Sequence, residues 1–209
     1  LRALGRWSSH SLRWVIVAMR LACFVGVCYL ADPAFVTIPE HLVSKDYARQ
    51  LSQQIDPRRA ARSETLAASR QIALPLEGEH TTHFSVIDES GMAVANTYTL
   101  EQSFGSRVVV QGGGFLLNNE MGDFNWKPGR TDRDGTIGTA PNLVEPGKRM
   151  LSSQTPTIVT KDGRVVLVTG SPGGRTIINT VLQVVLNVIE FDMDPVSAVD
   201  APRIHHPWL

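Results

Sequence analysis

The stretch Thr81-Thr82-His83-Phe84-Ser85-Val86 follows a polar, breaker-containing segment ending in Glu77-Gly78-Glu79-His80. Phe84 and Val86 fall two apart, the period of a strand, so Thr81 reads as a hydroxyl residue at the start of one. About ninety residues downstream, Gly170-Ser171-Pro172-Gly173-Gly174 closes an apolar strand and opens an apolar helix. Unpaired N–H groups and partial positive charge at a helix N-terminus hold anions, and two glycines let the backbone come close to a ligand. The pattern fits an oxyanion hole, a phosphate cradle or a plain tight turn; the GxxxxGK[ST] phosphate loop is absent. A hydroxyl nucleophile and paired N–H donors together form half of an acyl-transfer site. A threonine nucleophile also needs a base, and its own α-amine serves if the chain is cut before it. That amine titrates near 7.7–8.0, so a useful fraction is neutral at physiological pH.

Around this centre the chain reads as a layered α+β protein. After β-type runs at Phe84–Val86 and Met92–Val94, joined by Asp88-Glu89-Ser90-Gly91, come the apolar runs Val108-Val109-Val110 and Phe115-Leu116-Leu117. Thr157-Ile158-Val159-Thr160 and Val165-Val166-Leu167-Val168 flank Lys161-Asp162-Gly163, a strong hairpin signal. Residues 177–191 form a helix with apolar residues on nearly all sides, which suits a helix packed between layers. Residues 127–147 are rich in Gly, Pro, Asp and Asn and read as a long functional loop. Upstream, Val43, Tyr47, Leu51 and Ile55 recur every four residues, with Ser44 placed to cap the helix. Residues 58–70 read as a short basic helix and 71–80 as a linker.

Residues 14–31 are strongly apolar and near the lower length limit for a membrane span. Arg20 in their midst would cost about 2.5–3.5 kcal/mol there, so a buried helix is the preferred reading and a span the alternative. The chain has 209 residues, 20 basic and 20 acidic, and no net charge, which gives no electrostatic footprint for nucleic acid. Cys23 and Cys28, five apart, match neither a CxxC redox pair nor a usual zinc spacing. Because the sequence starts with Leu1 rather than Met, it reads as a piece of a longer polypeptide.

Two further clusters carry polar chemistry. Asn118-Asn119-Glu120 with Asp123 offers acceptors for a substrate ammonium, or is a solvated turn. Leu151-Ser152-Ser153 precedes a strand, where serines can also simply cap a loop. In order and spacing, these motifs resemble the γ-glutamyltranspeptidase family: Thr81-Thr82-His83-Phe84-Ser85-Val86, Thr97-Tyr98-Thr99, Leu116 to Phe124, Pro146-Gly147-Lys148-Arg149, Leu151-Ser152-Ser153, Pro156-Thr157-Ile158, Gly170 to Gly174 and Pro202-Arg203-Ile204-His205. Tyr29-Leu30-Ala31-Asp32-Pro33-Ala34-Phe35-Val36 resembles the end of the family's large subunit.

The resemblance implies an αββα sandwich of the N-terminal nucleophile hydrolase type, incomplete in this piece. Residues 1–80 would close the large subunit and 81–209 open the small one, after self-cleavage between His80 and Thr81. It implies Thr81 as nucleophile, oriented by Thr99, with Gly173 and Gly174 as oxyanion donors. Glu120 and Asp123 would hold the substrate α-ammonium, Ser152 and Ser153 its α-carboxylate, and Glu101 would touch the glutamyl head group. Glutathione or another γ-glutamyl compound would be the donor, water or an amino acid or dipeptide the acceptor, and the rest of the large subunit a partner. No cofactor and no metal are implied, and the compartment would be periplasmic or extracellular. Gly122 stands where the family usually has a second Asp, Gln154 replaces a usual Met, and Val25-Gly26-Val27 replaces an Ala-Asp-Arg run. Two alternatives stay open: a related amidase or acylase, and an inactive truncated remnant.

Overall fold

In the computed structural model, residues 1–56, 58–59, 80–125 and 139–206 are described. They fall into two compact units, one drawn from Leu1–Leu76, Asp123–Leu151 and His205–Leu209, the other from Glu77–Gly122 and Ser152–Ile204.

The first unit is built on α1 (Ser9–Tyr29), whose N-terminus is capped by Ser8 accepting from Ser11 N at 3.1 Å. Val17, Met19 and Leu21 of α1 enter the core together with the side chain of Arg20. Among the described residues α1 is the one helix long and apolar enough to cross a membrane. The helix ends at Tyr29, where Leu30 turns extended and donates its N–H to Gly26 O, and Pro33 follows three residues after Leu30. Ser44 caps α2 (Lys45–Gln53) through Tyr47 N at 3.1 Å, as the sequence indicates. The helical run expected from Val43 starts two residues later, because residues Glu40–Val43 form a tighter 3-10 turn that leaves Val43 exposed. The basic helix expected at 58–70 lies outside the described residues apart from a bend at Arg58 and Arg59. The long loop expected at 127–147 is described from Thr139, where a 3-10 turn, Ala140–Asn142, opens it.

One ion pair in this unit joins segments 117 residues apart. The Asp32 carboxylate receives Arg149 Nη2 at 2.7 Å, Arg149 Nε at 3.1 Å, Arg149 N at 2.9 Å and Ala34 N at 3.0 Å. Its side chain is only 2% exposed, while that of Arg149 is 73% exposed, so the burden of satisfaction falls on the acid. The Arg149 guanidinium, then the Arg149 and Ala34 N–H groups, hold the Asp32 carboxyl well below the usual carboxylate range. A depressed folded-state value means that the stabilisation is fully present above the unfolded-state value of about 3.9 and is lost as pH falls through the lower folded value. Asp32→Asn is therefore expected to lower the urea midpoint at pH 7, with the gap to the parent narrowing below about pH 4. A gap that stays constant with pH would show that the charge contributes nothing.

The second unit contains two antiparallel hairpins. Strands β1 (Thr81–Ile87) and β2 (Ala93–Thr99) pair from Thr81↔Thr99 to Ile87↔Ala93. Their turn is held by Asp88, whose carbonyl accepts from Gly91 N and whose carboxylate accepts from Met92 N and Ser90 Oγ. Strands β3 (Thr157–Lys161) and β4 (Arg164–Thr169) meet at Asp162 (φ 51°) and Gly163 (φ 74°), both left-handed as a type I′ turn demands. Val108–Val110 and Phe115–Leu117, expected as strand-like runs, make only the isolated bridge Val109↔Leu116. The intervening Gly112 and Gly114 take positive φ and end the pairing at once.

β4 lies against β1 and β2, and α3 (Ile177–Ile189) packs on β4. The helix expected at 177–191 stops at Ile189, and its burial is not the uniform apolar surface that its composition suggests. Ile177, Val181 and Val184 are buried, but so are Asn179, Gln183 and Asn187, spaced four apart on one stripe, while Ile178 and Ile189 are exposed. These amides face chain, not solvent. Gln183 Nε2 donates to Ile204 O at 2.7 Å, Gln183 Oε1 accepts from Ile204 N at 2.9 Å, and Asn187 Nδ2 donates to Ala198 O at 2.9 Å. Ala198 belongs to α4 (Pro195–Asp200), so the stripe staples the segment after α3 onto it with satisfied bonds.

Candidate active site

In β1 the pleat puts Thr81, His83 and Ser85 on one face, with Thr99 and Thr97 opposite the first two, while Phe84, Val86, Val94 and Tyr98 occupy the other, exposed face. The polar face is the half-buried one at Thr81 and His83. His83 Nδ1 and Thr97 Oγ1 share a hydrogen bond of 2.9 Å, and His83 Nε2 and Ser85 Oγ one of 3.1 Å. Burial pushes the His83 imidazole pKa down, which favours the neutral ring, one nitrogen donating and the other accepting. The ring lies on the backbone of Gly170, where a Cβ would overlap it, so β1 touches the start of the Gly170–Gly174 turn.

Thr99 sits directly across from Thr81 in the register. Its hydroxyl oxygen accepts from Glu101 N at 2.9 Å, which leaves the hydroxyl its proton and a second lone pair. That bond also holds Glu101 at φ 72°, an uncommon setting for a residue with a side chain. The backbone from 100 to 106 is zipped onto the segment after the glycines: Asn119 N donates to Leu100 O, Gln102 N to Asn119 Oδ1, and Ser106 N to Leu117 O. Glu120 then starts a 3-10 turn, Glu120–Asp123, with its N–H bonded to Asn118 Oδ1 at 3.0 Å. The outcome is that carboxylate oxygens of Glu101 and Glu120 lie within 4.8 Å of each other. Two like charges at that range repel, and a cation between them removes the repulsion. A hard metal ion would want about six oxygens, more than these side chains bring. Asp123 ends the same turn and begins the other unit.

The Gly170–Gly174 turn carries its own geometry. Gly173 has φ 124° and Gly174 φ 53°, and a Cβ on Gly173 would stand 2.5 Å from Thr176 Oγ1. Bonds within the turn use the Gly173 carbonyl, which accepts from Thr176 N at 3.0 Å and Thr176 Oγ1 at 2.6 Å, and not the N–H groups of either glycine. Gly174 opens a short 3-10 turn that leads straight into α3. Ser153 Oγ donates to Gly174 O at 3.0 Å, so one of the paired serines stands on the turn itself. Ser152 Oγ accepts from Gln154 N at 3.2 Å. The His80 imidazole, just before Thr81, bonds Ser103 Oγ at 2.8 Å through Nδ1.

A residue with no sequence signal organises the loop before the serines. Asn142, 4% exposed, donates Nδ2 to Asp123 O at 2.6 Å and accepts at Oδ1 from Leu151 N at 3.0 Å. Its carbonyl accepts from Asn125 N at 2.8 Å, beside the parallel bridge Asn125↔Leu143. One Asn in a Gly- and Pro-rich loop looks like turn composition, and only the fold reveals its two long-range partners.

Two solved structures share this fold. The cephalosporin acylase of Bacillus halodurans matches over 96% of this chain and 33% of its own, with a TM-score of 0.72 at 24% identity, which shows a shared fold alone. The γ-glutamyltranspeptidase of Pseudomonas nitroreducens complexed with L-DON is 55% identical over 60% of this chain and 65% of its own, with a TM-score of 0.56. The fold is therefore α+β, of the N-terminal nucleophile hydrolase type, with small two-stranded sheets. The model of the Gamma-glutamyltranspeptidase family matches residues 2–209, and the chain belongs to that family. It is similar to the glutathione hydrolase proenzyme of Pseudomonas sp. (strain A14), 44% identical over all of this chain and 36% of that protein. The glutathione hydrolase proenzyme of Escherichia coli is 48% identical over 87% of this chain and 31% of its own length. The chain thus spans about a third of the length of the curated relatives that it matches.

Proposed function

We propose that the protein carrying this chain cuts itself before Thr81 and then hydrolyses or transfers γ-glutamyl groups. The observation that carries this reading is the carboxylate pair Glu101–Glu120, built just past Thr99 and hence next to the strand pair that opens with Thr81. In the first reaction Thr81 Oγ attacks the His80 carbonyl carbon and the His80–Thr81 C–N bond breaks. Water cleaves the resulting ester, leaving a His80 carboxylate and a free Thr81 α-amine. Chain 1–80 then belongs to a large subunit and 81–209 to a small one. In the second reaction the amine takes the Oγ proton as Oγ attacks the γ-carbonyl. Gly173 and Gly174 N–H groups receive the oxyanion, Thr99 orients the nucleophile, and the departing amine takes the proton. Water or an amino acid or dipeptide acceptor then resolves the γ-glutamyl-Thr81 ester. Glu101, Glu120 and Asp123 face the α-ammonium, and Ser152 and Ser153 the α-carboxylate. Relatives named glutathione hydrolase point to glutathione as donor, and the family resemblance to a periplasmic or extracellular setting.

Glutamate release from glutathione and from a γ-glutamyl anilide tests the reading. Turnover of a non-glutamyl acyl amide in place of both would favour an amidase of other specificity. Glu120→Gln removes one charge from the ammonium site and is expected to raise KM about 10–100-fold with a smaller change in kcat. An unchanged KM would remove Glu120 from the head-group site.

A further inference from the structure

Asn142 stands outside every motif on which the functional reading rests, yet it bonds to the backbone at two of them. Both of its partners lie in the same unit as itself. Asp123 is a proposed ligand of the α-ammonium, and Leu151 immediately precedes the serines proposed for the α-carboxylate. The amide is buried, and both ends are used: Nδ2 on Asp123 O at 2.6 Å, Oδ1 on Leu151 N at 3.0 Å. A primary amide is the side chain that can donate at one end and accept at the other at this length. The Arg149–Asp32 ion pair fixes the chain two residues before Leu151, and the Asn125–Leu143 bridge fixes it one residue after Asn142. The amide therefore spans two anchored strands of chain, and its length sets how far residue 123 stands from residue 151.

We propose that Asn142 is a positioning residue for head-group recognition: its side-chain amide sets the spacing between the ammonium ligand Asp123 and the segment that enters Ser152-Ser153. It touches no substrate and acts only through those two backbones. This inference rests on the γ-glutamyl reading of the site.

The test measures kcat/KM in the full-length protein for a γ-glutamyl anilide, for the glutaryl anilide that lacks the α-ammonium, and for the 4-aminobutyryl anilide that lacks the α-carboxylate. Failure of the parent protein to turn over the γ-glutamyl compound would sink the functional reading itself. Given turnover and discrimination by the parent, Asn142→Ala is expected to reduce both preferences about tenfold, since a misplaced polar ligand loses most of its discrimination. Asn142→Asp keeps an acceptor for Leu151 N but loses the donor to Asp123 O. It is expected to reduce the preference for the ammonium about tenfold and leave that for the carboxylate within about twofold. A merely structural role would lower the active fraction or the Tm and leave both ratios at parental values, and that result overturns the proposal. Equal loss of both preferences in Asn142→Asp also overturns it.

Discussion

Thr81→Ala is expected to leave the chain uncut at His80–Thr81 and to reduce γ-glutamyl turnover by at least about 10³-fold, the scale on which loss of a nucleophile is felt. On the proposed mechanism both losses share one cause: the same Oγ attacks the His80 carbonyl first and the γ-carbonyl afterwards. Thr81→Ser keeps the hydroxyl and is expected to retain both reactions at reduced rate. On that mechanism the base is the α-amine released by the first cut, so kcat/KM should rise with pH through about 7.7–8.0, where an α-amine loses its proton. Gel analysis with a γ-glutamyl anilide assay reads both losses. An uncut Thr81→Ala protein of parental activity would remove Thr81 from the mechanism.

Gly173→Ala is expected to lower kcat by about 10²–10³-fold, the size of effect seen when one oxyanion donor is lost. At φ 124° the Gly173 backbone is in a region that a side chain resists, and a Cβ would meet Thr176 Oγ1 at 2.5 Å. The turn must shift, and the Gly173 and Gly174 N–H groups shift with it. Ser153 bonds the Gly174 carbonyl, so KM is expected to rise as well, though less than kcat falls. Replacing Thr176 by Ala in the same chain relieves the contact but not the backbone strain, so it should restore little. Self-cleavage monitored in parallel separates loss of the oxyanion site from loss of processing. A variant with parental kcat would show that these N–H groups hold no developing charge.

The parts of the fold that the residues announced are those set by local chemistry. Ser44 capping α2, the Asp162-Gly163 turn between β3 and β4 and the alternation along β1 all follow from neighbours a few positions away. What escaped the sequence was long-range satisfaction of polar groups. Composition made 177–191 an all-round apolar helix, whereas Asn179, Gln183 and Asn187 form a buried stripe, and Gln183 and Asn187 staple the following segment through partners up to 21 residues off. Asp32 and Arg149 read as parts of two separate motifs, and their pairing across 117 residues had no local trace. Val108–Val110 had the composition of a strand, but the glycines after it ended the pairing. For the site, the motifs named Thr81, Glu101, Glu120, Ser153, Gly173 and Gly174. The fold supplied how they are joined: Thr99 opposite Thr81, Glu101 held by Thr99, Ser153 on Gly174, and His83 against Gly170.

N-terminal sequencing of the purified protein tests the central claim most directly, because cleavage before Thr81 both creates the base and marks the nucleophile. The expected result is a second N-terminus reading Thr-Thr-His-Phe-Ser-Val, with the γ-glutamyl group of a trapped substrate bound to that same threonine. A single uncut chain that still releases glutamate from glutathione, or a label on any other residue, would contradict it.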